Sequence, residues 1–132
     1  MINIVLIVLL LLTPNEVKLE ISGIKKPIGN LLIAAYNTRE NYLDESQMTQ
    51  GYVIQITETG TMTFMIDLPE GEYALAVMHD VNEDGKLNKN FFGIPTERYG
   101  FSNNARGTFG PPSFDDAKIF LTRGDTLRIA LQ

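Results

Sequence analysis

The sequence predicts an all-β domain: an antiparallel, immunoglobulin-like β-sandwich of about seven strands with one long ordered loop. Three observations predict it. Short apolar runs recur along the 132 residues, bounded by Gly, Pro, Asn or Asp. Several of these runs alternate with period two, and none sustains a period of 3.6. Short strands with turn punctuation favour two packed antiparallel sheets.

Each element follows in order. In residues 17–22, Val17, Leu19 and Ile21 alternate with polar residues, as in a half-buried strand, and Gly23 ends the run. Residues 31–36 (LLIAAY) are apolar on both faces, as in a central strand. Residues 37–50 are polar and irregular, a short helix or a long connection. Residues 52–57 read as a third strand. Residues 61–66 read as a fourth, with Met62, Phe64 and Ile66 on one face. Asp67-Leu68-Pro69-Glu70-Gly71 is a turn, since Pro presets φ and Gly accepts positive φ. Residues 72–78 form a fifth strand, with Tyr73, Leu75 and Val77 on one side and Ala74, Ala76 and Met78 on the other. Residues 118–122 are a sixth strand and 127–131 a seventh. Between these two, Arg123-Gly124-Asp125 reads as hairpin geometry rather than as an adhesion signal.

Composition narrows the function. Apolar residues are 44% and charged residues 20%, an ordinary globular balance, and the length suits one core. The net charge is −5, and the basic residues cluster only at Lys25-Lys26, so no nucleic acid is expected as a partner. The chain has no cysteine, which excludes disulfides, thiol catalysis and a Cys-based zinc site. Residues 1–12 (MINIVLIVLLLL) are almost purely aliphatic. They fall short of the about 20 residues of a transmembrane helix, so no stable span is expected. Their length suits the apolar core of a secretory signal, about 7–15 residues. Residues 1–15 are therefore read as signal-like, residues 16–132 as the domain, and an extracytoplasmic location (periplasmic, secreted or surface-associated) is expected.

From Asp80 to Ala117 no strand rhythm is visible. Structureless loops beyond about 12–15 residues are uncommon in compact domains and are often functional. Six aromatics (Phe91, Phe92, Tyr99, Phe101, Phe109, Phe114) argue for an ordered path, because solvated linkers do not carry such an apolar load.

The run Asp80-Val81-Asn82-Glu83-Asp84-Gly85-Lys86-Leu87-Asn88 matches the first nine positions of a calcium loop. Side-chain oxygens of Asp80, Asn82 and Asp84 converge when such a chain curls, and Gly at the sixth position permits the sharp turn. Lys86 contributes a backbone carbonyl and Asn88 a direct or water-mediated ligand. The twelfth position, normally a bidentate Glu, is Phe91, and no helices flank the run. It is a partial oxygen cage for Ca2+ at low affinity, to be completed by Glu97, Asp115 or Asp116. The competing expectation is a metal-free turn, in which Asp and Asn bond their own backbone.

His79 ends the fifth strand and by alternation points toward the core end, where a lone histidine is ordinarily a packing residue. A hydrolase would use His79 as base, Asp80 or Glu97 as its orienter and Ser102 as nucleophile, but no nucleophile-elbow motif surrounds Ser102. A second class uses Tyr99, Phe101 and Phe109 to recognise a glycan or a peptide, with a cell-surface protein or glycan as partner. Asn103 and Asn104 complete the candidate loop surface as hydrogen-bonding residues.

The segments Leu68-Pro69-Glu70-Gly71-Glu72-Tyr73-Ala74, His79-Asp80-Val81-Asn82, Gly85-Lys86-Leu87, Gly93-Ile94-Pro95, Tyr99-Gly100-Phe101-Ser102-Asn103 and Gly110-Pro111-Pro112-Ser113-Phe114, followed by Asp116-Ala117, together resemble the bacterial family DUF2141. The resemblance covers about residues 17–132. It implies a small exported bacterial protein and assigns no substrate. The family pattern usually has aspartate where this chain has Asn88. The 68–73 turn also looks like that of prealbumin-like surface domains, which supports a sandwich.

Overall fold

The computed structural model describes residues 15–85 and 97–132. Among these residues eight strands make two sheets, as the sequence predicts for a sandwich. They are β1 (Glu16–Ile24), β2 (Asn30–Tyr36), β3 (Gln50–Gln55), β4 (Gly60–Asp67), β5 (Gly71–Asp80), β6 (Tyr99–Phe101), β7 (Ile119–Leu121) and β8 (Thr126–Ala130). One sheet has the order β4-β1-β8, the other β3-β2-β5-β6, with β7 also paired to β5. The pairings are antiparallel except β1 with β8, which run parallel from Lys18↔Thr126 to Ser22↔Ala130. Among the described residues no helix is long and apolar enough to cross a membrane.

The alternation in the sequence is what builds the core. Val17, Leu19 and Ile21 of β1 are fully buried, and Leu31 and Ile33 of β2 face them with Leu75 and Val77 of β5. Period two places each set on a single face of its sheet, so the two apolar faces meet and exclude water. At Gly23 the register of β1 against β4 shifts, and φ is +82°. A Cβ there would lie 2.6 Å from the Leu131 carbonyl oxygen, so only glycine fits.

The outer face of the five-stranded sheet carries a second, smaller apolar cluster. Ala74, Phe101, Phe114 and Ala117 are buried in it, with Tyr42, Leu43 and Tyr99 packed around them. Tyr42 stacks edge-on against Tyr36 and Phe114, with ring centroids 5.8 Å apart in both pairs. The Tyr42 hydroxyl donates to the Pro112 carbonyl at 2.8 Å, and burial pushes its phenol up to about 12.

Three expectations are corrected. The 80–117 segment contains regular structure: the three-residue strand β6, a 3-10 turn at Ser102–Asn104, and a one-turn helix, α1 (Phe114–Ala117). Elements of three or four residues are too short to display a period, which is why they leave no pattern. Second, β5 runs one residue past His79, so Asp80, expected in the loop, sits in the strand. Third, Arg123-Gly124-Asp125 does not join a hairpin. It is a tight turn, with the Asp125 amide donating to Thr122 O at 3.1 Å. It carries the chain from β7, in one sheet, to β8, in the other.

The polar stretch 37–49 joins β2 to β3 and holds a 3-10 turn, Glu45–Gln47, capped by the Asp44 carboxylate. Residues 1–14, the signal-like run, lie outside the described residues, as do 86–96 with Lys86, Asn88, Phe91 and Phe92.

Candidate metal centre

β5 delivers His79 and Asp80 to opposite faces, because successive side chains of a strand alternate. His79 follows Tyr73, Leu75 and Val77 into the core and is 2% exposed. Its Nε2 donates to the Ile28 carbonyl at 2.8 Å, and its amide donates to Arg98 O at 2.8 Å. Asp80 turns outward but is covered, with 1% exposure.

What covers Asp80 is the turn that follows it. The Asp84 amide donates to Asp80 Oδ1 at 3.3 Å and the Gly85 amide to Oδ2 at 2.8 Å. Asn82 Nδ2 donates to Asp84 Oδ2 at 3.2 Å. Glu83 and Gly85 adopt left-handed φ values of +58° and +75°, which curl the chain back over the carboxylate. Asp80 thus organises its own turn, as short acidic side chains do.

Glu97 arrives by strand register. β6 pairs with β5 through Met78↔Tyr99. Continuing that antiparallel ladder two residues sets 97 opposite 80. Glu97 is 7% exposed, and its Oε2 accepts from the Val81 amide at 2.6 Å. Asp80, Asp84 and Glu97 each offer one carboxylate oxygen, and the three lie within 4.8 Å of one another. Carboxylates so close repel unless a cation or donors stand between them, and part of that need is met here by backbone amides.

Gly29 makes the assembly possible. Its φ is +77°, and a Cβ on it would stand 2.2 Å from the Asp80 carbonyl oxygen and 2.8 Å from Val81 Cα. The backbone before β2 therefore passes directly against the end of β5, next to the acidic group.

The remaining candidate residues go elsewhere. Asp115 pairs with Arg39 at 2.5 Å and Lys118 at 3.6 Å, and the Arg39 guanidinium holds its carboxyl below the usual range. Asp116 lies on α1, where its amide donates to the Ser113 hydroxyl at 3.1 Å. Neither belongs to the acidic group.

Ser102 is fully buried: its hydroxyl accepts from the Leu75 amide at 2.9 Å and donates to the Ala117 carbonyl at 2.5 Å. Leu75 and His79 are four residues apart on one strand, about 13 Å at 3.3 Å per residue, so Ser102 and His79 do not meet. Ser102 instead ties α1 to the sheet. Ser102→Ala is expected to cost about 1–3 kcal/mol, because the buried Leu75 amide and Ala117 carbonyl both lose their partner. Urea denaturation measures it, and a cost indistinguishable from zero would refute this role.

Phe101 is buried and Tyr99 half-buried, with their rings edge-on at 5.8 Å, whereas Phe109 is exposed. Asn103 Nδ2 donates to the Lys118 and Asp116 carbonyls, and Asn104 Oδ1 accepts from the Ala130 amide at 2.9 Å.

Residues 19–128 match the model of a family described as an uncharacterized protein conserved in bacteria, DUF2141. No curated protein and no solved structure matches the chain.

Proposed function

The chain belongs to the DUF2141 family, and from that premise we propose that it is an extracytoplasmic β-sandwich binding module whose Asp80 turn, closed by Glu97, takes a calcium ion weakly. One observation carries the proposal: three carboxylates, two of them buried, brought within 4.8 Å by elements 17 residues apart in the chain (97 − 80). Their donors are all oxygens. His79, the chain's one histidine, faces away toward Ile28. Oxygen-only ligation suits a hard cation, calcium or magnesium, over zinc or copper. The irregular geometry of a turn, with Asn82 alongside, favours calcium, since magnesium demands near-ideal octahedral geometry. Few protein ligands imply an affinity at the weak end, about 10⁻⁴–10⁻³ M, the range of extracellular modules. The apolar run at residues 1–12 supports the extracytoplasmic part, where calcium is available at that level.

A ligand that binds the folded state alone must stabilise it. At ten times its dissociation constant calcium contributes about 1.4 kcal/mol, which raises Tm by about 3–6 °C in a domain of this size. Scanning calorimetry in millimolar calcium against chelator measures this. In Asp84→Asn the response is expected to vanish while the melting temperature in chelator stays nearly the same, because Asp84 is exposed whereas Asp80 holds the turn. Identical melting of the parent protein in calcium and chelator removes the metal from the proposal.

A further inference from the structure

The edge of a sheet presents unpaired amides and carbonyls to any chain that can pair with them. Where β6 and β8 come together, the chain closes its own edges. The Gln132 amide donates to the Tyr99 carbonyl at 2.8 Å, and the Ala130 amide to Asn104 Oδ1 at 2.9 Å. β6 and β7 are also only three residues long, and brevity by itself blunts an edge. On the opposite side, β3 and β4 each end their sheet, with no strand beyond either among the described residues. The two lie together: residues 56–59 join them, and the Tyr52 hydroxyl donates to the Asp67 carbonyl at 2.6 Å.

Proteins guard such edges with charge, proline or a bulge. β3 has none of these. Its sequence is Gln50-Gly51-Tyr52-Val53-Ile54-Gln55, and the whole stretch 46–57 around it is uncharged. Its pairing with β2 runs without a shift from Asn30↔Gln55 to Ala35↔Gln50. Val53, at its middle, is 66% exposed. It ends a row on the outer face, since Val53 stands opposite Leu32 and Leu32 opposite Met78, both only half-buried. On β4, Met65 is 46% exposed, and residues 59–66 are again uncharged.

We infer that β3 is a self-association edge, which pairs antiparallel with β3 of a second copy across a two-fold axis. Such an isologous contact uses the same patch twice and closes at two copies. Residues directly opposite in an antiparallel pair share a face, so the axis passes through a residue of β3 and not between two. Centred on Val53, it sets Val53 against Val53 and Tyr52 against Ile54 twice. Aromatic and β-branched side chains make favourable cross-strand pairs. Centred on Tyr52, it would leave Val53 facing only Gly51.

Charge selects the second copy over other partners. Two copies of a chain of net charge −5 repel, and like charges directly opposite in a ladder are unfavourable. Along β3 none oppose: in the register about Val53, the first charged residue, Glu58, falls opposite Met48. A cationic peptide would find no carboxylate along the strand to hold it. The area agrees. β3 and β4, of six and eight residues, run about 20–26 Å in sheets about 10 Å apart. Flush contact along that side buries on the order of 1,000 Å² over both copies, the low end of specific interfaces, so the dimer is reversible.

Sedimentation velocity of the protein from about 5 to 500 μM tests the stoichiometry. A mass that climbs from one copy to two and stops there is expected. Val53→Lys, which opposes two ammonium groups, should weaken association at least about tenfold. Its Tm at the lowest concentration should be unchanged, because the Val53 side chain already stands in water. The register is read by disulfide trapping, since the chain has no cysteine of its own. Val53→Cys sets two thiols on Cα atoms about 4.5–5.5 Å apart, within disulfide reach. Gln55→Cys sets them about 13 Å apart along the strands, beyond it. Val53→Cys should therefore cross-link in mild oxidant at least about tenfold faster than Gln55→Cys. A protein that stays monomeric throughout, assembly that continues past two copies, full-strength association by Val53→Lys, or equal cross-linking of the two cysteine variants overturns the inference.

Discussion

Phe114→Ala is expected to destabilise the protein by about 3–5 kcal/mol, the usual range for a buried phenylalanine cut to alanine. Phe114 is 6% exposed and is the ring that joins Tyr42 to Ala74, Phe101 and Ala117 on the outer face of the sheet. This cluster is separate from the sandwich core, so the loss should be regional. Hydrogen exchange in residues 102–117 should accelerate far more than in β1, β2 and β5. Tyr42 provides a second readout. Burial first, then the neighbouring Tyr36 and Asp116, hold its phenol at about 12, so the folded state favours the neutral form. That contribution is fully present below the unfolded value near 10 and disappears as pH rises through about 12. With Phe114 removed, Tyr42 should titrate closer to its ordinary value in a spectrophotometric titration. A cost below about 1 kcal/mol with unchanged exchange would mean that the cluster does not hold the loop.

Gly29→Ala should be nearly as severe, at about 2–4 kcal/mol, for two reasons that can be separated. A left-handed residue with a side chain costs about 1–2 kcal/mol in itself. The rest comes from driving a methyl into the backbone of Asp80 and Val81, which cannot swing aside as a flexible side chain does. Gly124→Ala isolates the first part, because Gly124 has φ +87° and nothing within 4 Å of the added carbon. Equal losses in the two variants, measured by urea denaturation, would show that the close approach is not costly. If Gly29→Ala is the larger, any calcium response should weaken with it, since the clash displaces the end of β5 on which Asp80 sits.

How much was legible in the sequence depends on the range of each interaction. β1 and β5 announced themselves, because Val17, Leu19, Ile21 and Tyr73, Leu75, Val77 alternate over enough residues to define a face. β2 read as central because both its faces are apolar, and it does lie between β3 and β5. β6 was hidden: Tyr99-Gly100-Phe101 is too brief for a period, and its pairing partner is more than twenty residues away (99 − 78). The partition into sheets was hidden as well. Arg123-Gly124-Asp125 has the chemistry of a tight turn whether the next strand folds back beside the last or crosses to the other sheet. At the acidic turn, the spacing of Asp80, Asn82 and Asp84 was visible as local curl. Which distant carboxylate approaches it was not, since Glu97, Asp115 and Asp116 look alike until register places the first beside Asp80 and Arg39 engages the second.

The parallel pairing of β1 with β8 has a consequence for how the chain reaches its fold. The two strands are joined by the whole domain; Arg128 and Glu20, bonded at 2.7 Å, are 108 residues apart in sequence. Closing so long a loop costs entropy before any contact repays it, and non-local pairings of this kind make folding slow. β1 is made long before β8, so one full edge of it stays unpaired until β8 follows. Refolding should show its latest phase in β1 and β8 together, with β2 and β3, neighbours in sequence and in the sheet, forming earlier.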